Sequence, residues 1–388
     1  MPFAASHSRA TNLSDAIRSV TEEIRAALAK AEPDFSFLFV SHAHAEGFGQ
    51  LASRICEATG TKVLIGCTGE TVIGGSEEIE QGPILSVWSA LLPGVSVEPF
   101  SVRFERTADG IVTSGLPALP ADGPPVRAVF MLADGSSSAP HTVLDHFDVE
   151  SPGVPVLGGM ASGGRRAGEN RLFHNSHELK HGAVGLVVRG GPCIRSVVSQ
   201  GCRPIGKNYV VTRAEDNVIH ALGGAPPMQR LRELFDTLSD HDADLVREGL
   251  QLGLVMNEYK ETFERGDFLI SNVVGADPES GSIAIATPVR VGQTVRFHLR
   301  DAEAADEDLQ SLLDADRSAN TSRPQAALLF SCNGRGTRLF PRPHHDASVL
   351  QKINGPIPLA GFFAQGELGP IGGRNYLHGF TASVALFE

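Results

Sequence analysis

A chain of 388 residues with 41% hydrophobic and 20% charged side chains is long enough for two or three globular domains, and it is too apolar for global disorder. A formal net charge of -12 excludes the basic face that nucleic-acid binders carry, and no run approaches the ~18 apolar residues of a membrane helix. The five cysteines are widely spaced with no C-x-x-C pair, and the N-terminus lacks a basic stretch followed by an apolar one, so a cytoplasmic protein with reduced thiols is expected.

Leu13, Ile17, Val20, Ile24 and Leu28 recur at helical spacing, with Ser14 and Asp15 placed to cap the start. A short apolar run, Phe35 to Val40, then stops at Ser41-His42-Ala43-His44. A second helix containing Leu51 and Ile55 ends at Gly60, and Val63-Leu64-Ile65 reads as a buried strand. Ile84 to Ala90 and Val95 to Phe104 flank Pro93-Gly94, the pattern of a hairpin.

The same order of signals recurs. Val129 to Leu132 runs into Ala133-Asp134-Gly135-Ser136, a helix with Val143, Leu144 and Phe147 follows, and then comes Val154 to Gly158. Ala183 to Val188 and Ile194 to Ser199 flank Arg189-Gly190-Gly191-Pro192. A third copy runs from Ala327 through Ser331-Cys332-Asn333-Gly334 and Ile357 to Gly361, and closes on Phe380 to Phe387. A weaker fourth copy begins at Leu252 and takes in Asp267 to Ile270, Ser282 to Ala286 and Thr294 to Leu299. Repeated strand-helix-strand-hairpin units imply an α/β fold of two similar domains with mixed sheets, since a helix crossover allows parallel pairing and a hairpin imposes antiparallel pairing. The Gly/Pro-rich stretch 221–227 places the boundary, giving domains 1–222 and 223–388.

In open α/β sheets, ligands bind beyond the carboxyl ends of parallel strands. Six such ends carry small, polar, glycine-rich sequence, starting at Ser41, Cys67, Asp134, Gly158, Ser331 and Phe363. Glycines let backbone N–H groups approach a ligand, and hydroxyls and amides add further hydrogen-bonding groups. No phosphate-binding loop or dinucleotide fingerprint is present. His42 and His44 form only half of a metal site. Cys332 follows a buried strand near Arg335 and is the candidate nucleophile, with His344 or His345 as the candidate base.

Phe330-Ser331-Cys332-Asn333-Gly334-Arg335-Gly336, Pro358 to Pro370 and Gly372 to His378 closely resemble the C-terminal signature of the FIST family (F-box and intracellular signal transduction). Asn272 to Pro278 with Val291 to Val295 is similar as well, and Gly66 to Glu70 and Gly201 to Gly206 resemble the N-terminal half. The likeness spans roughly residues 35 to 385. It implies a sensory domain pair that binds small ligands such as amino acids, in a chain with no length left for an output segment.

The expectation is therefore a non-enzymatic ligand sensor without cofactor or metal, acting with a signalling partner. Its ligand contacts are Cys332, Asn333, Arg335, Phe363, Gln365 and Glu367, with Asp134 and Ser136. Arg335 would hold a carboxylate and Glu367 or Asp134 an ammonium group, with Phe362 or Phe363 as an apolar wall. A thiol-dependent hydrolase or transferase using Cys332, and a protein-interaction scaffold, are the alternatives.

Overall fold

The computed structural model describes residues 2–108, 110–119, 123–264 and 266–388. The fold is mixed α/β, with seven α-helices among the described residues and several mixed sheets, in two compact units. The larger takes in Met1–Ser199, Leu309–Leu377 and Thr381–Glu388, and the smaller Gln200–Asp308 with His378–Phe380.

Three repeats build the larger unit. Their first strands are Phe35–Val40, Val126–Asp134 and Ala326–Cys332. A helix in each (Phe48–Thr59, Pro140–Glu150, His345–Asn354) leads to a parallel second strand: Leu64–Thr68, Val156–Ala161 or Leu359–Ala364. The last strand, Leu85–Ala90, Ala183–Arg189 or Ala382–Phe387, lies antiparallel on the other side of the first.

The central strands read as near-continuous apolar runs because both faces are covered. Helices cover one face. The Leu13–Ala27 helix, for example, buries Ile17, Val20 and Ile24, and it is capped by Asn12, whose side-chain oxygen accepts the Ser14 and Asp15 N–H groups. The opposite faces of all three sheets meet in one aromatic core. In it Phe37 packs on Phe130, Phe39 on Phe330 and Phe362, and Trp88 on Phe387.

Between its second and last strands each repeat sends out a short hairpin that pairs in another repeat's sheet. The first repeat's hairpin, Val72–Gly74 with Glu77–Ile79, adds to Leu359–Ala364 of the third. The third repeat's, Glu367–Ile371 with Arg374–His378, adds to Val156–Ala161 of the second. The second repeat's, Leu172–His174 with His177–Leu179, adds to Leu64–Thr68 of the first. The exchange is cyclic and closes on itself.

The strand pairs flanking Pro93-Gly94 and Gly190-Gly191 are not hairpins. The free edge of Leu85–Ala90 is taken by Phe3–Ser8, and that of Ala183–Arg189 by Ser96–Thr107, so the next strand passes to a different sheet. The fourth candidate repeat also differs. Leu250–Val255 runs antiparallel to Phe268–Ala276, and these two join Ile283–Ile285, Val218–Leu222, Tyr209–Glu215 and Thr294–Arg300 in an antiparallel ladder that closes through Thr294–Arg300 pairing with Leu250–Val255. Without a helix crossover no parallel pair forms, and the smaller unit is a closed barrel around Val211, Leu252, Ile283 and Phe297.

Strand register aligns the repeats residue by residue. Gly66, Gly158 and Gly361 pair with Leu38, Met131 and Leu329. A Cβ added to these glycines would lie 2.3, 2.0 and 1.8 Å from the carbonyl oxygens of those three partners. Only glycine fits each place. Gly361→Ala is therefore expected to destabilise the protein by about 3 kcal/mol or more, read from urea unfolding. A cost within about 0.5 kcal/mol of wild type would show that the strand pair tolerates a side chain there.

Candidate functional site

The turns at the carboxyl ends of the parallel strands are joined to one another by hydrogen bonds. Ser162 anchors the group: its hydroxyl donates to the Phe363 carbonyl and accepts the Glu70 N–H, and its own N–H donates to the Thr68 carbonyl. Gln365 N–H donates to Met160 O at 3.1 Å, and Asn333 N–H to Ala364 O at 2.9 Å. Arg338 bridges the Asn333 carbonyl and the Glu70 carboxylate. Gly163, at φ +89°, brings the second repeat's turn against His42, so close that a Cβ would lie 2.8 Å from Nδ1. Gln365 reaches toward Gly135 in the same way, with Oε1 3.3 Å from where a Cβ would stand.

Asp134 is buried and organises its own turn. Its Oδ2 accepts both the Ser136 and Ser137 hydroxyls at 2.6 Å, and Asn170 Nδ2 approaches Oδ1 at 3.4 Å. Cys332, Asn333, Gln365 and Glu367 lie together at the end of the third repeat.

Arg335 has a different role from the one its sequence position suggests. Its side chain is fully buried, and Nε and Nη2 donate to the two carboxylate oxygens of Asp346 at 2.7 and 2.8 Å. The guanidinium also lies over the Phe340 ring, which stacks on His345. Asp346 receives the Ser331 hydroxyl at 2.6 Å and His345 Nδ1 at 2.9 Å. Burial opposes the Asp346 charge, but Arg335 overrides it and holds the carboxyl well below the usual range. The same carboxylate keeps Arg335 charged against the cost of its own burial. The fork that would have held a ligand carboxylate is thus occupied by a residue of the chain itself.

The expected apolar wall is core as well. Phe362 packs against Phe39 and Phe330, and Phe363 against Leu329 and Leu350 on the helix-covered face. His344 engages the Glu78 backbone rather than a thiol. His42 Nε2 faces the Glu169 carbonyl at 3.1 Å, while His44 is buried, which lowers its pKa. The two imidazoles serve separate surroundings.

Glu78 and Thr381 escaped the sequence reading. Glu78, on the first repeat's exchanged hairpin, accepts the Ala347 N–H at the start of the His345–Asn354 helix. Burial, and then the Asp346 charge, raise its pKa to about 8. Glu367 is fully buried, and its Oε2 accepts the Thr381 N–H at 3.1 Å and hydroxyl at 2.8 Å. Its carboxyl also meets the Cys332 side chain. Burial raises Glu367 to about 8, outweighing Thr381, Cys332 and the more distant Arg335, all of which favour the charged form. No signal in the chain near Thr381 marks it, because its contact depends on the fold.

The chain matches the FIST N domain over residues 34–225 and the FIST C domain over residues 227–370. It belongs to the FIST family. FIST domains are associated with sensory roles in signal transduction. An uncharacterized protein of Mycobacterium bovis is 42% identical over 368 residues, which cover 94% of this chain and 93% of the relative. An uncharacterized protein of Mycobacterium tuberculosis strain H37Rv is 40% identical over 380 residues, covering 98% of both. Among the described residues of this FIST protein, no helix is long and apolar enough to cross a membrane.

Two outcomes follow from the buried acids. Arg335→Ala leaves Asp346 charged in the interior without its guanidinium partner, held only by Ser331 and His345, so a loss of roughly 3–5 kcal/mol in urea unfolding is expected. A loss under ~1 kcal/mol would mean the pair is solvated. For Glu367 the folded pKa lies above the unfolded value, so the native state binds the extra proton between about pH 4.5 and 8. Stability should fall as pH rises through that window, by a few kcal/mol in all, at about 1.4 kcal/mol per unit. Glu78, raised to the same value, adds to the decline, so Glu367→Gln should lessen the slope without removing it, and an unchanged slope would show that Glu367 is already ionised in the folded protein.

Proposed function

We propose that this FIST protein is a small-ligand-binding sensory protein whose ligand, an amino acid or a similar metabolite, docks on the joined strand-end turns of the larger unit. The hydrogen-bonded convergence of turns from all three repeats carries this reading, because a ligand held there touches residues of every repeat at once. Cys332, Asn333 and Gln365 form its contact surface, with Glu367 buried beside Cys332 and with Asp134 and Ser136 shaping the neighbouring turn. Arg335 and Phe363 support the surface from behind, through Asp346 and the helix-facing core.

A sensor needs a conformational response, and turns tied by a few hydrogen bonds supply one: a ligand that prefers one arrangement of them shifts its population. The output then passes to a signalling partner. Among the described residues no two cysteines are joined in a disulfide, which fits a reducing cytoplasm. Thermal-shift screening against amino acids and central metabolites tests the reading. A true ligand at 100-fold its Kd stabilises the fold by roughly 2.7 kcal/mol, visible as a clear rise in Tm. No shift from any compound at millimolar concentration would defeat the proposal.

A second reading, a thiol-dependent enzyme, draws on the contact between Cys332 and the Glu367 carboxyl, which sets a nucleophile beside a group able to take its proton only as pH approaches 8. It requires Cys332 to react with iodoacetamide faster than the exposed Cys193 does. An equal or slower rate removes it.

A further inference from the structure

The alignment of the repeats isolates one anomaly. Val72, Leu172 and Glu367 occupy the same place: each opens an exchanged hairpin opposite the fourth residue of a second strand, Phe362, Cys67 or Gly159 respectively. All three are fully buried. Two are the aliphatic side chains that an interior strand calls for, and the third is a carboxyl. Burying an acid where the other copies bury Val and Leu is costly for the fold.

The residue facing it breaks the pattern too. Ser41, Asp134 and Cys332 are equivalent, their N–H groups donating to Ile84 O, Gly182 O and Thr381 O at 2.9–3.0 Å. Ser41 and Asp134 are satisfied by their own turns, through Ile84 N–H and Gly82 O and through the Ser136 and Ser137 hydroxyls. Cys332 instead stands beside Glu367.

Of the cationic side chains around these turns, the central ones are committed: Arg335 to Asp346, Arg338 to Glu70 and the Asn333 carbonyl, and Arg171 to Glu178, while Arg165 and Arg166 on the second repeat's turn are exposed. The buried atoms that lack a donor are of the opposite kind. Among the described residues Asn333 Oδ1 has no partner, and neither has His42 Nδ1, on a ring whose Nε2 lies 3.1 Å from Glu169 O. Glu367 Oε1 receives no N–H or O–H donor, since Thr381 serves Oε2 alone.

We infer that the group recognised at the third repeat's turn is a cationic hydrogen-bond donor, a primary amine, which enters past Asn333 and Cys332 to meet the Glu367 carboxyl. The inference rests on the ligand-sensor reading and narrows it: the amino group of a metabolite is read, and its carboxylate is not. Cys332 retains 8% exposure, and Asn333 and Gly334 beside it are half-buried, so the 332–334 turn is the approach. An arriving ammonium supplies the positive charge that Glu367 lacks. The groups facing Glu367 are Cys332, Thr381 and, at longer range, Arg335, whose charge is shared with Asp346. The carboxyl gives up its proton to solvent as the N–H···O bonds form, so binding releases one proton.

The test uses the full chain and isothermal titration with matched probes: standard amino acids, their carboxamides, and their N-acetyl derivatives. The carboxamides, which keep the amine and lose the acid, should bind as well as the free amino acids, and N-acetylation should weaken binding more than about tenfold. Affinity of the amines should rise about tenfold per pH unit toward pH 8, with proton release seen as a buffer-dependent heat. Glu367→Gln should abolish both the pH dependence and most of the affinity, and Asn333→Ala, at a half-buried turn position, should weaken amine binding several-fold should the first variant fold poorly. Binding of N-acetyl derivatives with loss of the carboxamides would overturn the inference and leave the sensor reading standing. Silence from every probe class would overturn both.

Discussion

The cyclic exchange of hairpins is the constraint on which the larger unit depends. A strand–helix–strand unit with its last strand has one open edge, along the second parallel strand, and an unpaired edge of buried sequence leaves a row of backbone donors and acceptors unsatisfied. Each repeat closes that edge with a hairpin from another: 172–174 on 64–68, 367–371 on 156–161, and 72–74 on 359–364. No repeat can complete its sheet alone, so the three must fold together, and the aromatic core forms where their inner faces meet. The glycines at 66, 158 and 361 belong to the same geometry, since the second strand lies too near its neighbour's carbonyl to carry a side chain.

The exchange also creates the polar interior. Glu78 and Glu80 ride on the first repeat's hairpin, yet they serve the third repeat, at Ala347 N–H and at the Thr337 backbone and hydroxyl. Arg335, Asp346 and Ser331 are then enclosed, and the ion pair can keep its charges because each is met by the other and by hydrogen bonds. What reads as a strand-end arginine available to a ligand is a structural strut for the 331–346 segment. At the third repeat's turn beside it, the buried oxygens Asn333 Oδ1 and Glu367 Oε1 have no partner among the described residues.

Pseudo-symmetry gives those turns a physical reference that a single domain lacks. Where three copies perform the same structural task, a residue that departs from the other two marks something besides folding. Glu367 against Val72 and Leu172, and Cys332 against Ser41 and Asp134, are such departures, and they touch one another. The third repeat is thereby the one that buries a carboxyl beside a thiol where the other two bury aliphatic side chains.

Much of this was legible in the chain. Apolar runs of four to six residues ending in small polar turns, with helical periodicity between them, sufficed for the α/β class, the first, second and third repeats and the strand-end turns, because burial on two faces leaves so plain a pattern. The motifs around Cys332 and Gly361 sufficed for the family. Partner choice was not legible. Pro93-Gly94 looks like a hairpin turn from its local chemistry, and only the occupied edge of the 85–90 strand sends the chain to another sheet. The 250–300 region carries similar apolar runs but lacks the crossover helix, so it closes as a barrel. Arg335 and Glu367 were identifiable as unusual residues from sequence. That one is matched by Asp346, and the other set against Thr381 and Cys332, was decided by tertiary structure alone, because those contacts join segments whose meeting depends on strand register and on an exchanged hairpin.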